Sequence, residues 1–160
     1  MAGYVLPRIP ASAGGLIEDG SGRLLILEPT YKSGWTIPGG QLEADGETPW
    51  EGCCREVAEE TGLTVTAGRL VCVDFLRPRP DRPGGLRFLF DCGVVGPDQQ
   101  DAIVLQVEEI RSHRWATPEE ASRLLSGPVG RRIDQALAAR RSGVDTVYLE
   151  DGRPVPGVSA

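Results

Sequence analysis

The chain has 160 residues, 40% hydrophobic and 25% charged, with a formal net charge of −6 and a pI near 4.9. That length suits one domain around one core, and the acidic balance argues against a broad electrostatic grip on nucleic acid. No stretch approaches the ~18 apolar residues of a membrane span. Pro7, Arg8 and Pro10 break the apolar run that a cleavable signal needs ahead of Ala11-Ser12-Ala13. The four cysteines, Cys53, Cys54, Cys72 and Cys92, contain no C-x-x-C pair, and the single histidine, His113, cannot complete a Cys/His zinc site. They read as free thiols in a reducing compartment, which predicts a cytoplasmic protein.

In chain order, residues 13–17 and 24–27 read as strands joined by a hairpin turn over 18–22. Residues 35–37 form a short predicted strand stopped by Pro38-Gly39-Gly40. Thr48-Pro49-Trp50-Glu51 then starts a helix. Threonine at the N-cap, proline in the first turn and glutamate three residues on make a capping box, and Gly62 supplies the stop. Trp50 is predicted as an exposed aromatic or a contact to a second subunit in a homodimer. Two strands follow, 70–76 and 87–95, around a loop, RPRPDRPGG, too rich in breakers for regular structure. A strand over 112–115 leads into a second capping box, Thr117 to Glu120, and a helix to about Leu125. A last helix spans 129–141, and 147–155 reads as a hairpin around Asp151-Gly152 within a C-terminal 143–160 segment that is hairpin or flexible tail. Strands and helices alternate irregularly over 1–160. That predicts a single α+β domain layered as an α/β/α sandwich.

The helix after Thr48 carries the chemistry. At ~100° per residue, Glu56, Glu59 and Glu60 fall within about a third of its circumference, with Cys53 on the same side. Cys54, Val57, Ala58 and Thr61 point toward a predicted core. Carboxylates that close raise one another's pKa unless a cation neutralises them, and hard oxygen ligands select Mg2+ or Mn2+ over zinc. The alternative is a solvated face stitched by the i,i+4 pairs Glu51–Arg55 and Arg55–Glu59.

The stretch GGQLEADGETPWEGCCREVAEETGL, Gly39 to Leu63, resembles a Nudix box, the motif of hydrolases acting on nucleoside diphosphates linked to another moiety. Glu47, Arg55-Glu56-Val57, Glu59-Glu60 and Gly62-Leu63 match its fixed positions. Six residues, rather than five, separate Gly40 from Glu47, an insertion in the loop that leaves the helix register intact. The resemblance implies a mixed sheet flanked by helices and a divalent metal site of Glu56, Glu59, Glu60 and the Gly39 carbonyl. It also implies that Arg55 pairs with Glu47 in a structural role. Glu56 is the first candidate for general base. Glu109, with Glu108 beside it, is the candidate further ligand or alternative base. Among the arginines of the Pro/Gly loop and beside it, Arg77, Arg79 and Arg87 are candidate substrate contacts, and Trp35 is a candidate stacking partner, with core packing as its other reading.

The resemblance implies Mg2+- or Mn2+-dependent hydrolysis of a phosphoanhydride bond in a small nucleotide derivative, without nucleic acid or membrane partners. Pro78 and Pro80 bracket the position where ADP-ribose hydrolases of the family carry a proline, which favours ADP-ribose or a sugar nucleotide. Two alternatives are a non-catalytic nucleotide sensor on the same fold and a pyrophosphohydrolase of oxidised nucleoside triphosphates.

Overall fold

A computed structural model describes residues 3–158. Eight strands build one mixed sheet: β1 (Ala11–Glu18), β2 (Leu24–Pro29), β3 (Gly39–Gln41), β4 (Arg69–Leu76), β5 (Gly85–Val94), β6 (Ile110–Ala116), β7 (Val147–Glu150) and β8 (Arg153–Pro154). Among the described residues, four helices accompany them: α1 (Pro49–Thr61), α2 (Pro97–Asp101), α3 (Pro118–Leu124) and α4 (Gly127–Arg141). The strand order is β6-β2-β1-β5-β4-β7-β8, with β3 paired to β1. β1–β5 and β4–β7 run parallel, and the other pairs are antiparallel.

Alternation along β1 and β2 sets the layers, because successive side chains leave opposite faces of a strand. Ile17, Leu25 and Leu27 join Cys53 and Val57 of α1 in one buried cluster. Leu16, Leu24 and Ile26 join Ala121 of α3 and Ile133, Ala136 and Leu137 of α4 in the other. The sheet is therefore covered on both faces, the α/β/α arrangement read from the irregular alternation of elements. α1 lies close over β1 at Gly15, where an added Cβ would sit 3.0 Å from Cys92 Sγ and 3.2 Å from Val57 Cγ2.

Some sequence expectations need correction. Residues 35–37 do not form a strand: Thr36 makes an isolated bridge to Leu27, and the strand is instead Gly39–Gln41, part of which reads in sequence as the stop. The reason is tertiary. β1 meets β2 at Glu18–Leu24, while its start, Ser12–Gly14, pairs with β3. Segment 36–41 wedges between the two strands, with the Gly15 amide donating to the Pro38 carbonyl at 3.0 Å. Trp50 is not turned outward. It packs edge-on against Phe90, ring centroids 5.1 Å apart. On α1, Cys53 is buried against the sheet and Ala58 is exposed, the reverse of the helical-wheel expectation. The short α2 has no buried residue, so no apolar periodicity announces it.

Candidate active site

The site begins with the local code of α1. Thr48 Oγ1 accepts the Glu51 amide while the Glu51 carboxylate accepts the Thr48 amide, closing the capping box at the N-terminus. Gly62, at φ 75°, ends the helix in the left-handed conformation that glycine adopts without steric cost. The loop ahead of the helix turns at 44–46, and across that turn the Glu43 amide donates to Glu47 Oε2 at 2.8 Å.

Arg55 organises the loop and the helix together. Its Nε and Nη2 donate to the two oxygens of Glu47 at 2.6 and 3.0 Å, a bidentate fork. Its Nη1 reaches Glu56 Oε1 at 2.9 Å and Glu59 Oε2 at 3.0 Å, and Nη2 also donates to the Gln41 carbonyl at 3.0 Å. The Arg55 hydrogen bonds hold the Glu47 carboxyl at a pKa of about 2, well below the usual carboxylate range.

Glu60 has a different environment. It is 3% exposed, and its Oε2 accepts the Gly39 amide at 3.0 Å. Among the described residues, no arginine or lysine forms an ion pair with it. Burial pushes its pKa up to about 8; the Gly39 amide opposes the rise, and the charges of Glu56, Glu109 and Glu59 add to it. Glu56 is also raised, by burial first; Arg55 opposes this, and Glu59 and Glu109 reinforce it. The two glycines before the helix make this crowding feasible. A Cβ on Gly39 would lie 2.7 Å from Gly14 Cα, and one on Gly40 would lie 2.6 Å from Glu56 Cδ.

Glu109 reaches the same place from far away in sequence. The Val104 and Gln106 amides donate to the Thr61 and Glu60 carbonyls at 2.9 and 3.3 Å, tying this loop to the orphan end of α1. Thr30 then clasps the loop's far side, its amide on the Glu109 carbonyl and its hydroxyl on the Glu108 carbonyl. Glu56, Glu60, Glu108, Glu109, Gly39 and Gly40 all line one cavity of about 780 Å³.

The remaining candidates divide. Arg87 lines the cavity. Arg77 and Arg79 do not: both are more than half exposed, Arg77 bonds Glu150 at 2.8 Å, and Arg79 lies 3.7 Å from Asp151. Trp35 packs against the α4-side core and is not part of the cavity wall, which is its core-packing reading. Glu59 is half exposed, bonded to Arg55, and off the cavity lining. Sequence reasoning missed Tyr31, Lys32, Phe88 and Arg132, which also line the cavity. Tyr31 feels the carboxylates directly: burial raises its pKa, and Glu60, Glu109 and Glu56 raise it further.

The donor set fits a hard divalent cation. It is all oxygen, it includes a buried carboxylate without a cationic partner, and its members destabilise one another's charged forms. Among the described residues, no three His, Cys, Asp or Glu side chains are drawn together closely enough to make a finished metal cage.

Comparison with known proteins identifies the family. The NUDIX domain model matches residues 8–137, and the chain belongs to that family. It is 32% identical over 131 residues to a MutT-like protein from Streptomyces ambofaciens, covering 82% of this chain and 79% of that protein. An 8-oxo-dGTP diphosphatase from Proteus vulgaris is 40% identical over 83 residues, 48% of this chain and 70% of the relative. Among solved structures, the MutT protein from Methanosarcina mazei Go1 superposes with a TM-score of 0.68 at 26% identity, covering 84% of this chain and 94% of that one. The protein is thus a Nudix hydrolase, in a family that acts on nucleoside diphosphate derivatives and generally uses divalent metal cations.

Proposed function

We propose that the protein hydrolyses a phosphoanhydride bond of a nucleoside diphosphate derivative in the presence of Mg2+ or Mn2+, with ADP-ribose or a sugar nucleotide as substrate. The carrying observation is the buried Glu60 carboxylate, without a cationic partner among the described residues, beside Glu56 and Glu109 on the wall of a nucleotide-sized cavity. Glu56, Glu60, Glu109 and the Gly39 carbonyl would hold the metal, which supplies charge neutralisation of the diphosphate and a more acidic bound water. Arg55 holds Glu56 in place and keeps Glu47 ionised, a positioning role. Glu56 takes the proton from the attacking water, with Glu109 as the competing base. Glu59 acts through Arg55. The ADP-ribose preference is supported by Pro78 and Pro80 in the loop beyond the box. Four free thiols support a reducing, cytoplasmic setting.

A second reading, pyrophosphohydrolysis of oxidised nucleoside triphosphates, is favoured by the 40% identity to the Proteus vulgaris diphosphatase. Turnover of a panel with and without Mg2+ separates them: ADP-ribose, sugar nucleotides, dinucleoside polyphosphates and 8-oxo-dGTP, with each product identified. Metal-dependent cleavage of ADP-ribose or a sugar nucleotide supports the first reading; cleavage of 8-oxo-dGTP alone supports the second. Binding without any cleavage would turn the protein into a sensor and overturn both.

A further inference from the structure

The cavity has a second wall of opposite charge, which the hydrolytic chemistry does not use. Glu56 and Glu60 belong to α1 on one face of the sheet. Arg132 belongs to α4 on the other face, and Arg87 and Arg82 come from β5 and the loop before it. Each cluster is dominated by its own neighbours. The charges that act on Arg87 are Arg132, Asp74 and Arg82, whereas those that act on Glu60 are the other glutamates.

Within the basic wall, carboxylates are fewer than guanidiniums. Asp74, fully buried opposite Arg87 in the β4–β5 register, spends one oxygen on Arg132 Nε at 2.8 Å and the other on the Gly152 amide at 3.0 Å. Asp151 takes Arg82 at 3.0 Å and is also approached by Arg77 and Arg79. Nothing is left for Arg87. Its guanidinium donates to two backbone carbonyls, Leu86 at 3.1 Å and Gly84 at 3.4 Å, and no carboxylate among the described residues forms an ion pair with it. A half-buried cation in that position is destabilised by burial and by its cationic neighbours. A second observation points the same way: Arg82 Nε is buried with no hydrogen-bond partner among the described residues, a donor lacking an acceptor.

We propose that this wall binds a phosphate monoester on the part of the substrate remote from the cleaved diphosphate, with Arg87 as the principal contact. Planar guanidinium forks match phosphate oxygens in pairs, and a dianion offsets the local excess of positive charge. The proposal deepens the hydrolase reading and, as a statement about substrate, rests on it. Within the nucleoside diphosphate derivatives of that reading, it predicts that a compound with an additional phosphate on its nucleoside or sugar is preferred over the same compound without it.

Calorimetric titration of inorganic phosphate into the magnesium-free protein at low salt tests the site without any turnover. Saturable binding is expected, weakened about tenfold or more in Arg87→Met and not weakened in Glu60→Gln. Arg87→Lys, which keeps the charge and loses the fork, is expected to fall between wild type and Arg87→Met. Absence of phosphate binding, or equal binding in Arg87→Met with its thermal transition intact, overturns the proposal and leaves the hydrolase reading untouched. With Mg2+ present, NADPH and NADH form a pair that differs only in a remote phosphate. Wild type should favour NADPH in kcat/KM, and Arg87→Met should erase the preference. Arg87-dependent phosphate binding with no turnover of any diphosphate supports the basic wall and overturns the hydrolase reading instead.

Discussion

Adjacent glutamates of the same type do different work because their surroundings differ. Glu60 is buried, receives one backbone amide, and is held among like charges. Glu59 is half exposed and lies 3.0 Å from Arg55. Replacing Glu60 by glutamine removes a carboxylate aimed into the cavity, and kcat is expected to fall on the order of 10²–10⁴-fold. Glu59→Gln removes one of several Arg55 bonds and should cost distinctly less. Steady-state kinetics at saturating Mg2+ decide this, with circular dichroism to confirm folding. Equal losses in the two variants would contradict the division of roles. The sequence alone offered Glu56, Glu59 and Glu60 as one set, because helical spacing reports which side a residue occupies and not how deeply it is buried. It also offered Arg77 and Arg79 on the strength of their loop, but partner choice there is decided by Glu150 and Asp151, about seventy residues away in the chain.

The capped helices and the longer apolar strands carry local signals and were legible, whereas β3 and the loop 104–109, placed only by tertiary contacts, were not. α1 carries its own start, polar face and stop, and its range follows from Thr48, Pro49, Glu51 and Gly62 with no reference to the rest of the fold. The loop 104–109 carries no such code. Its position depends on the amides of Val104 and Gln106 meeting the last carbonyls of α1, a contact between segments over forty residues apart. β3 is likewise a tertiary product: two glycines in a row read as a break, yet Gly39 lies too close to the β1 backbone for a side chain, and a Cβ on Gly40 would displace the Glu56 carboxylate. The local nature of the α1 cap gives a prediction. Thr48→Ala leaves the Glu51 amide without its side-chain acceptor and should lower unfolding free energy by about 1 kcal/mol, the usual worth of an N-cap. Urea denaturation measures it. Because Glu60 lies at the far end of the helix, kcat should change little; a loss comparable to that of Glu60→Gln would mean that fraying at the cap reaches the site.

For the molecule as a whole, the cavity draws its walls from both helical layers of one sheet, Glu56 and Glu60 from α1 and Val129, Arg132 and Ile133 from α4. α1 is held by packing against β1 and β3. α4 packs its apolar face on the sheet, and Asp74, fully buried on β4, ties it to the terminal hairpin by bonding Arg132 of α4 and the Gly152 amide at the β7–β8 turn. A buried ion pair of this kind gives little net stability over an apolar replacement, but breaking it from one side leaves a charge without a partner. Asp74→Asn is therefore expected to cost about 3–5 kcal/mol, far more than a surface change. The double variant Asp74→Leu/Arg132→Met, which removes both charges, should recover much of that loss. Urea midpoints and slopes for the two variants test this directly. If the double variant is as unstable as Asp74→Asn alone, the Gly152 amide and the hairpin it anchors are what Asp74 protects. If it recovers, the stranded guanidinium of Arg132 is the cause, and the basic wall of the cavity is coupled to global stability through a single aspartate.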